Sequence, residues 1–308
     1  MEKLYDLAII GSGPSGITCS IYASRANLKV ALIEKGAPGG KLVKTYHIEN
    51  YPAIKESSGV DLALSMFDHA TAFGSEFVYG DVSKVNDLGD IKEVIFASGE
   101  KVQAKSIYIA TGTDERLMNI ENENKMIGRG VSFCAVCDGS FYKGQDVVVV
   151  GGGNAALEES IYLTQFVNKV TIVVRRDVFR AEPLVIEEAY NNPKIEIITK
   201  YTPNKVIVED NKVAGLEITS VETGESKVIN CQGIFPYIGA IPATAFVKDL
   251  DITNEQGYIL VDEKMQTKIK GIYAGGDVIV KQLRQVVTAT SDGAIAAHNI
   301  TKYLKSGE

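Results

Sequence analysis

The sequence predicts an α/β fold, because two passages share the order strand, glycine-rich turn, helix and strand. In the first passage, the turn at residues 11–16 follows the apolar run 7–10 and precedes a helical stretch that extends to Arg25. In the second, the turn at residues 151–156 follows the apolar run 146–150 and precedes a helical stretch that extends to Val167 and a strand at residues 169–174. One such turn is a weak signal, but two in the same context indicate the βαβ unit that binds dinucleotides. We therefore expect two Rossmann-like dinucleotide-binding domains, of which the second is inserted into the first.

Each unit ends in a further apolar strand. The runs 106–112 and 233–239 close the first and the second unit, and the run 271–277 precedes a C-terminal helix. Turns rich in Asn, Asp and Gly interrupt residues 75–105 and 194–229, which predicts hairpin-like segments there. The chain is thus expected to return to the first unit after it has completed the second.

The length agrees with this organisation, since 308 residues suffice for two domains of roughly 100–200 residues each. The chain changes unit near Thr113 and near Gly239. We therefore expect residues 1–113 and 245–308 to form one discontinuous domain and residues 114–244 to form the inserted domain. The two chain crossings are the expected hinge.

The composition excludes several classes of function. Lys and Arg number 32 against 39 Asp and Glu, and the formal net charge of −7 argues against binding to nucleic acid or anionic membranes. No run of about 18 uncharged apolar residues occurs, so we expect no membrane-spanning helix. The N-terminus does not have the pattern of a secretory signal. We expect a cytoplasmic protein whose four cysteines do not form a structural disulfide framework.

The residue that ends the second strand of a βαβ unit contacts the adenosine ribose. In the first unit this residue is Glu34, whose carboxylate can accept hydrogen bonds from both ribose hydroxyls. The first unit is therefore expected to bind FAD, with NAD as the alternative.

The second unit has cations at the same place. Arg175 and Arg176 follow the second strand, and Arg180 adds a third guanidinium group. Arginine cannot accept a hydrogen bond from ribose, but it binds a 2′-phosphate, which predicts NADP. The alternative is a solvated basic cluster that Asp177 and Glu182 neutralise.

A third glycine-containing segment follows the last apolar run. Asp277, after Gly275 and Gly276, can hydrogen-bond a polyhydroxyl chain such as ribityl. A helix that begins near Val286 would direct its positive end toward the N1–C2=O region of a flavin. Asp277 is also suited to a simple helix-capping role, and the two roles are compatible.

Cys134 and Cys137 form a C-x-x-C pair that Asp138 follows. A redox dithiol fits this spacing, because the two sulfurs can bond while one thiolate attacks and the other resolves. Structural zinc would need two more ligands, and neither Cys19, Cys231 nor the three histidines stand at ligand spacing. We therefore expect no metal. Asp138 is suited to donate a proton to a departing thiolate, although an Asp-Gly pair is also typical of a turn.

Together these motifs resemble the low-molecular-weight, bacterial-type thioredoxin reductases, which are class II pyridine nucleotide-disulfide oxidoreductases. The resemblance covers essentially the whole chain, and its most specific parts are the runs 134–139, 151–156, 175–181 and 274–277. The larger enzymes of the glutathione reductase type carry their redox pair just after the first βαβ unit, with wider spacing. Here the pair directly precedes the second glycine turn.

The resemblance implies a homodimer of subunits with the FAD/NAD(P)-binding fold, with FAD in the discontinuous domain and NADPH in the inserted one. The residues at which it implies FAD contacts are Gly11, Ser12, Gly13, Pro14, Ser15, Gly16, Glu34, Lys35, Gly39, Gly40, Lys41, Asn50, Val82, Thr111, Gly112, Gly276, Asp277, Arg284, Gln285 and Val286. The residues at which it implies NADPH contacts are Asn154, Ala155, Arg175, Arg176 and Arg180.

The resemblance also implies a reaction sequence, in which NADPH reduces FAD, FAD reduces the Cys134–Cys137 disulfide, and the dithiol reduces thioredoxin. In the family the second cysteine faces the flavin and the first attacks thioredoxin, which assigns Cys137 and Cys134, with Asp138 as the proton donor. Because the dithiol and the NADPH site share a domain, the family implies that one domain rotates against the other between half-reactions.

The chain departs from the family pattern at three positions. Val174 stands where histidine is frequent, Lys41 where glutamine is frequent, and Ala155 where a hydroxyl residue is common. These departures leave open a different electron donor, with reduced ferredoxin as the nearest alternative. A flavin-binding redox sensor without turnover is the alternative from a non-enzyme class.

Overall fold

The structure is a computed structural model that describes residues 4–45, 48 and 50–306. The chain divides into two compact units. The first unit consists of Met1–Asp114 and Ile241–Glu308, and the second unit of Glu115–Ala240. The second unit is therefore inserted into the first. Its first residue lies one position after the predicted start, and its last residue lies four positions before the predicted end.

The elements of the described residues are numbered in chain order. The strands are β1 (Leu4–Ile10), β2 (Val30–Glu34), β3 (Glu76–Tyr79), β4 (Val82–Asp87), β5 (Lys92–Phe96), β6 (Lys101–Ile109), β7 (Thr113–Glu115), β8 (Asp146–Val150), β9 (Lys169–Val174), β10 (Ile195–Thr199), β11 (Tyr201–Glu209), β12 (Lys212–Ser220), β13 (Ser226–Asn230), β14 (Gly233–Pro236), β15 (Ala240–Pro242) and β16 (Ile272–Ala274). The α-helices are α1 (Pro14–Arg25), α2 (Gly59–Ala72), α3 (Glu123–Met126), α4 (Ala135–Asp138), α5 (Asn154–Leu163), α6 (Pro183–Asn191) and α7 (Val286–Ser306). The 3₁₀ helices are Gly40–Lys44, Gly139–Tyr142, Ala245–Leu250 and Gly276–Val278.

The main sheet of the first unit has the strand order β3-β2-β1-β6-β5-β4. Strand β1 runs parallel to β2 and β6, and Ile10 pairs with Ile33 on one side and Ile109 on the other. The carboxyl ends of these strands therefore meet at one edge of the sheet. The first half of β6 pairs antiparallel with β5, and its last residues pair parallel with β16. This second pairing returns the C-terminal segment to the sheet.

Both faces of this sheet are covered, which explains its nearly continuous apolar strands. In β1, Ala8 and Ile10 enter one buried cluster, and Leu7 and Ile9 enter the other, because side chains alternate along a strand. The second cluster also contains residues of α1 and α7, such as Ile17. The two helices thus lie over one face of the strands that end at the glycine turn.

The second unit repeats this plan in a smaller form. Its parallel sheet has the order β10-β9-β8-β14, and a separate antiparallel sheet has the order β11-β12-β13. Val147 and Val149 pack with α5, and Val148 and Val150 pack with Leu216 and other residues of the antiparallel sheet. Strands β8 and β9 have the bounds that the apolar runs indicated.

Two details of the sequence prediction were wrong. Strands β3 and β10, expected within hairpins, instead extend the parallel sheets beside β2 and β9. Each of them follows a helix, α2 or α6, and a strand that follows a crossover helix pairs parallel to the preceding strand. Helix α5 ends at Leu163 rather than near Val167, and the chain continues in turns that bond Val167 to the Leu163 carbonyl.

The chain crosses between the units in β7 and β15, which pair with each other. Within the second unit, the Arg116 N–H donates to the Gly239 carbonyl oxygen (3.0 Å). Within the first unit, the Ala243 N–H donates to the Gly112 carbonyl oxygen (3.1 Å). The backbone is therefore hydrogen-bonded on both sides of the crossings.

Candidate active site

The first glycine-rich turn connects β1 to α1 and has no space for a side chain at two positions. Gly11 has a φ of +101°, and a Cβ there would lie 2.5 Å from the Ala110 carbonyl oxygen. A Cβ on Gly16 would lie 1.9 Å from the Gly11 carbonyl oxygen. Gly13 caps α1, and Pro14 begins it, where the missing N–H of proline costs no helical hydrogen bond. The turn leaves the N-terminus of α1 open to the close approach of an anionic ligand.

Glu34, the last residue of β2, is held beside this turn through both carboxylate oxygens. Its Oε2 accepts hydrogen bonds from the N–H and the hydroxyl of Ser12, both at 2.9 Å. Its Oε1 accepts hydrogen bonds from the N–H groups of Lys35 (2.9 Å) and Gly36 (3.0 Å). The acid therefore has a fixed orientation at the place where a ribose would bind.

Two further segments of the first unit lie against the turn. The Gly39 N–H donates to the Ser12 carbonyl oxygen (2.8 Å), which sets the start of the 3₁₀ helix that begins at Gly40. The Gly80 N–H donates to the Glu34 carbonyl oxygen (2.9 Å), two residues before Val82. The structure thus brings these sequence-predicted residues to one edge of the sheet.

Lys41 links this edge to the C-terminal segment. Its Nζ lies 2.8 Å from the Thr113 hydroxyl and 3.7 Å from Oδ2 of Asp277. Thr111, just after β6, donates its hydroxyl to a backbone carbonyl of the returning chain (2.8 Å). Lys41 and Asp277 therefore lie close together, and Thr111 is held by the returning chain.

A largely buried ion pair between Asp292 and Lys281, which the sequence did not indicate, supports the Gly276–Asp277 turn. Oδ2 of Asp292 accepts the Gly276 N–H (2.8 Å) and contacts Nζ of Lys281 (2.5 Å). The Arg284 Nε donates to the Asp277 carbonyl oxygen (3.3 Å). The sequence feature that could have indicated this pair is Asp292, the single charged residue in the first half of α7.

The remaining predicted FAD residues border the N-termini of α7 and α1. The Asn50 amide donates to Oε1 of Gln285 (3.2 Å), immediately before α7 begins at Val286. The hydroxyls of Ser15 and Tyr108 share a buried hydrogen bond of 2.6 Å beneath the first turn. Tyr108 is another residue that the sequence analysis did not select.

The second glycine-rich turn connects β8 to α5. A Cβ on Gly151, whose φ is +152°, would lie 2.4 Å from the Tyr237 carbonyl oxygen. Asn154, the first residue of α5, accepts the Glu182 N–H through Oδ1 (2.7 Å). Ala155 is exposed on the first turn of the helix. This turn, like the first, brings open backbone to a helix N-terminus.

The arginines that the sequence assigns to a 2′-phosphate lie at the edge of this turn. Arg175 and Arg176 follow β9 and are exposed, and the Arg180 N–H donates to the Gly152 carbonyl oxygen (2.7 Å). Over the part of the chain that the structure describes, none of the three guanidinium groups is in an ion pair. The phosphate role of these arginines and the alternative of a solvated basic cluster both remain predictions.

Cys134 and Cys137 form a disulfide at helix α4, with 5.3 Å between their Cα atoms. The Cys137 N–H is directed at Sγ of Cys134 (3.2 Å). The Ser132 hydroxyl accepts the Cys134 N–H (3.2 Å) and donates to Oδ2 of Asp138 (2.6 Å). Ser132 therefore connects the first cysteine to the carboxylate that the sequence assigns to proton transfer.

Two further residues of the second unit that the sequence analysis missed lie near the disulfide. The Tyr237 hydroxyl accepts the N–H of Ala135, which lies between the two cysteines (2.7 Å). Burial raises the pKa of Tyr237 well above its usual value, and the Glu159 carboxylate adds to this shift. Burial raises the pKa of Glu159 to about 7, with a smaller effect from Glu158.

The other cysteines lie in apolar surroundings. Cys19 and Cys231 are free and buried, and burial raises the pKa of both thiols. Within residues 4–45, 48 and 50–306, no three His, Cys, Asp or Glu side chains are grouped to hold a metal ion. His47 lies outside the described residues. No helix in the described chain has the length and apolar character needed to cross a membrane.

These observations define a class of protein. The first turn suits a flavin dinucleotide, because glycines admit the pyrophosphate and Glu34 offers acceptors for the ribose. The second suits NADPH, because Arg175 and Arg176 present exposed cations that make no ion pair within the described residues. With a disulfide in the second unit, the molecule is an oxidoreductase that transfers electrons between a pyridine nucleotide, a flavin and a dithiol.

Comparisons with known proteins agree with this class. The family model described as pyridine nucleotide-disulphide oxidoreductase matches residues 5–293. The thioredoxin reductase of Bacillus subtilis (strain 168) is 44% identical over 304 residues, which cover 99% of this chain and 96% of the relative. The crystal structure of thioredoxin reductase from Streptococcus pyogenes MGAS5005 matches with a TM-score of 0.93 and 45% identity, covering 99% of this chain and 100% of that chain. The thioredoxin reductase of Lactococcus lactis (FR conformation) matches with a TM-score of 0.70 and 42% identity, covering 98% and 99%.

The chain therefore belongs to the pyridine nucleotide-disulphide oxidoreductase family. It is an enzyme that uses FAD and NADPH, and Cys134–Cys137 is its redox-active disulfide. The family resemblance and the α/β dinucleotide-binding fold that the motifs predicted are both confirmed.

Proposed function

We propose that this chain is a thioredoxin-disulfide reductase that takes its electrons from NADPH. The observation that carries the proposal is the Cys134–Cys137 disulfide, which lies in the same unit as the glycine turn with arginines at its ribose end. The relatives that bear the name thioredoxin reductase, at 44% and 45% identity, support thioredoxin as the disulfide substrate.

The proposal assigns FAD to the first unit and NADPH to the second. FAD is held by the turn at residues 11–16, by Glu34 and by the segment around Asp277, with the other first-unit residues named above completing the site. NADPH is held by Asn154 and Ala155 at the second turn and by the three arginines. The opposite charges at the two ribose ends support this assignment.

The FAD that these residues would hold would supply a two-electron relay between the hydride of NADPH and the disulfide. With the Cys134–Cys137 bond broken, the Cys134 sulfur attacks one sulfur of the thioredoxin disulfide, and a mixed disulfide forms as that bond breaks. Cys137 then attacks the Cys134 sulfur, which re-forms the internal disulfide and releases reduced thioredoxin. The Cys137 N–H, 3.2 Å from the Cys134 sulfur, stabilises negative charge on the attacking atom.

Asp138 is the proposed proton donor. Its carboxyl group lies one residue after Cys137, and the Ser132 hydroxyl holds its Oδ2 at 2.6 Å. A carboxylic acid at this position can protonate a thiolate as it departs, which prevents the reverse attack. In the scheme above, the thiolate that departs is the thioredoxin sulfur released when Cys137 attacks the Cys134 sulfur, and Asp138 would donate its proton to that sulfur.

Thioredoxin-dependent reduction of insulin with NADPH tests the proposal. We expect Cys134→Ser and Cys137→Ser each to lower turnover by more than about 1,000-fold, because the covalent route is lost. Cys231→Ala is the matched control, since this buried cysteine of the same unit has no role in the scheme and should keep turnover within about twofold. Turnover that survives in Cys134→Ser contradicts the proposal.

The electron donor is tested separately by anaerobic titration of the flavin absorbance. NADPH is expected to bleach the bound flavin in the wild-type protein. If NADPH fails and a low-potential protein such as reduced ferredoxin succeeds, the donor assignment is wrong and the disulfide chemistry stands. Bound flavin without any turnover would favour a redox sensor.

The proposal also includes a homodimer in the cytoplasm. Exposed apolar side chains on α2 and α7, among them Val60, Leu64, Val287 and Ile295, support a surface in the first unit that a second copy covers. Light scattering after gel filtration should give twice the mass of one chain. Leu64→Glu should lower that mass if α2 lies in the interface.

A further inference from the structure

Helix α4 carries the redox pair but has only four residues. An isolated helix of this length is unstable in water, so other contacts must determine its conformation. In the structure the Cys134–Cys137 bond closes the turn covalently. Under the proposed function this bond opens in every catalytic cycle. Noncovalent contacts must then hold the two sulfurs in register until the bond re-forms.

Two side chains outside the pair hold the start of this turn. The Ser132 hydroxyl accepts the Cys134 N–H (3.2 Å). The Tyr237 hydroxyl accepts the next N–H, that of Ala135 (2.7 Å), from 102 residues further along the chain. The Cys137 N–H, by contrast, bonds to a sulfur atom that itself takes part in the reaction. Tyr237 thus contributes the long-range contact.

The backbone of Tyr237 is itself well fixed. It directly follows β14, which pairs with β8, and its N–H donates to the Val150 carbonyl oxygen (2.7 Å). Its carbonyl oxygen lies against Gly151, where a Cβ would come within 2.4 Å. The side chain that carries the hydroxyl is therefore anchored at the end of the parallel sheet. A contact with such a scaffold positions the turn more strongly than a contact within the turn does.

Burial, with a smaller contribution from nearby carboxylates, raises the pKa of Tyr237 and favours the neutral form of its hydroxyl. Burial and the Glu159 carboxylate raise the pKa of Tyr237, and Asp138 and Glu115 contribute in the same direction. The hydrogen bond to Ala135 acts the opposite way but is outweighed by burial. The contact between Tyr237 and the redox turn is therefore one between a phenol and an amide.

We propose that Tyr237 is a positioning residue for the redox pair, which holds the Cys134–Asp138 turn in place while the disulfide is open. The proposal rests on the proposed dithiol chemistry but adds a residue that touches neither sulfur. In the oxidised chain the covalent bond and Tyr237 hold the turn together. In the reduced chain Tyr237 holds it without the covalent bond, so loss of the hydroxyl destabilises the reduced form more than the oxidised form.

The test is the equilibrium between the Cys134–Cys137 pair and dithiothreitol in the FAD-loaded protein. Tyr237→Phe is expected to shift the equilibrium about fivefold to tenfold toward the disulfide, where tenfold corresponds to about 1.4 kcal/mol or 30 mV. Tyr142→Phe is the matched control, because Tyr142 is a nearby aromatic residue that packs on Phe235 and makes no hydrogen bond to α4 in the described chain. It should shift the equilibrium by less than about twofold.

Hydrogen exchange supplies a second measurement, on a peptide that includes residues 134–137. After reduction, the Ala135 amide should exchange at least about tenfold faster in Tyr237→Phe than in the wild type, and the difference should be smaller in the oxidised proteins. An equilibrium that moves no more than in Tyr142→Phe, or that moves toward the dithiol, overturns the proposal. Because neither measurement uses thioredoxin, a failure of the proposed function would show only in the insulin assay.

Discussion

The two glycine-rich turns of the molecule both connect a parallel strand to a helix N-terminus, and they differ in the groups at their ribose ends. In the first, both oxygens of Glu34 accept hydrogen bonds from Ser12, Lys35 and Gly36. In the second, Arg175 and Arg176 extend from the end of β9 without an ion pair in the described chain. The first site is thus fixed by its own hydrogen bonds, and the second offers exposed charge.

This difference indicates how one backbone motif could be adapted to the two ligands proposed above. A carboxylate that already has a fixed orientation selects ribose hydroxyls by geometry, while exposed guanidinium groups select a phosphate by charge. The turns also differ where their helices approach the preceding strand, because Gly16 occupies the position that Ala156 has in the second unit.

The largest effect is expected from Gly16→Ala. Its Cβ would lie 1.9 Å from the Gly11 carbonyl oxygen, so α1 must move away from the turn although alanine favours helices. We expect purified Gly16→Ala to lose most of its FAD, measured as the ratio of flavin to protein absorbance. Ala156→Gly, the reverse change in the second turn, should keep its flavin and lose only about 1 kcal/mol of stability. Equal flavin content in both variants would contradict the difference between the turns.

The second largest effect is expected from Arg175→Ala combined with Arg176→Ala. Each charge-assisted contact with phosphate contributes about 1.5–3 kcal/mol, so kcat/KM for NADPH should fall about 100- to 1,000-fold. The value for NADH should change by less than about threefold, because NADH has no 2′-phosphate. Lys212→Ala removes an exposed cation elsewhere in the same unit and should leave both values unchanged. Parallel losses with both nucleotides would refute the phosphate role.

A third prediction concerns the buried acid of the second unit. Burial raises the pKa of Glu159 from 4.5 to about 7, so the folded chain binds this proton more tightly than the unfolded chain does. The stabilisation of the folded chain by this tighter proton binding is complete below pH 4.5 and is lost as the pH rises through 7. The unfolding free energy of Glu159→Gln minus that of the wild type, measured by urea denaturation, should therefore be about 2 kcal/mol larger at pH 8.5 than at pH 5. The exposed neighbour Glu158, changed to Gln, should show no such trend.

The smallest effect is expected from Glu34→Gln. The amide keeps one acceptor oxygen, but its NH₂ group cannot accept the hydrogen bonds that the lost oxygen received. We expect the Kd for FAD to rise about tenfold, measured by flavin fluorescence during titration of the apoprotein. Glu182→Gln, next to the second turn, should leave FAD affinity unchanged. A Kd for Glu34→Gln within twofold of wild type would show that Glu34 does not contribute to the ribose site.

Local pattern was sufficient for much of the fold. Strands β8 and β9 have the predicted bounds because short apolar runs beside glycine or charged residues set the ends of a buried strand. Strands β3 and β10 were assigned to hairpins, because their partner strands are distant in sequence and no local signal distinguishes parallel from antiparallel pairing. The domain assignment and the cofactor contacts remain predictions that the mutations above can test.

The two glycine turns, the acid and the arginines at their ends, and the spacing of the redox pair can all be read from the amino-acid sequence. These features depend on neighbours within a few residues, so they leave a pattern in the chain. The support of the Gly276 turn by Asp292 and Lys281, and the bond of Tyr237 to Ala135, became visible in the folded chain. Such pairs form when packing brings distant segments together, and a single polar residue within an apolar strand or helix does not indicate which distant group it will meet.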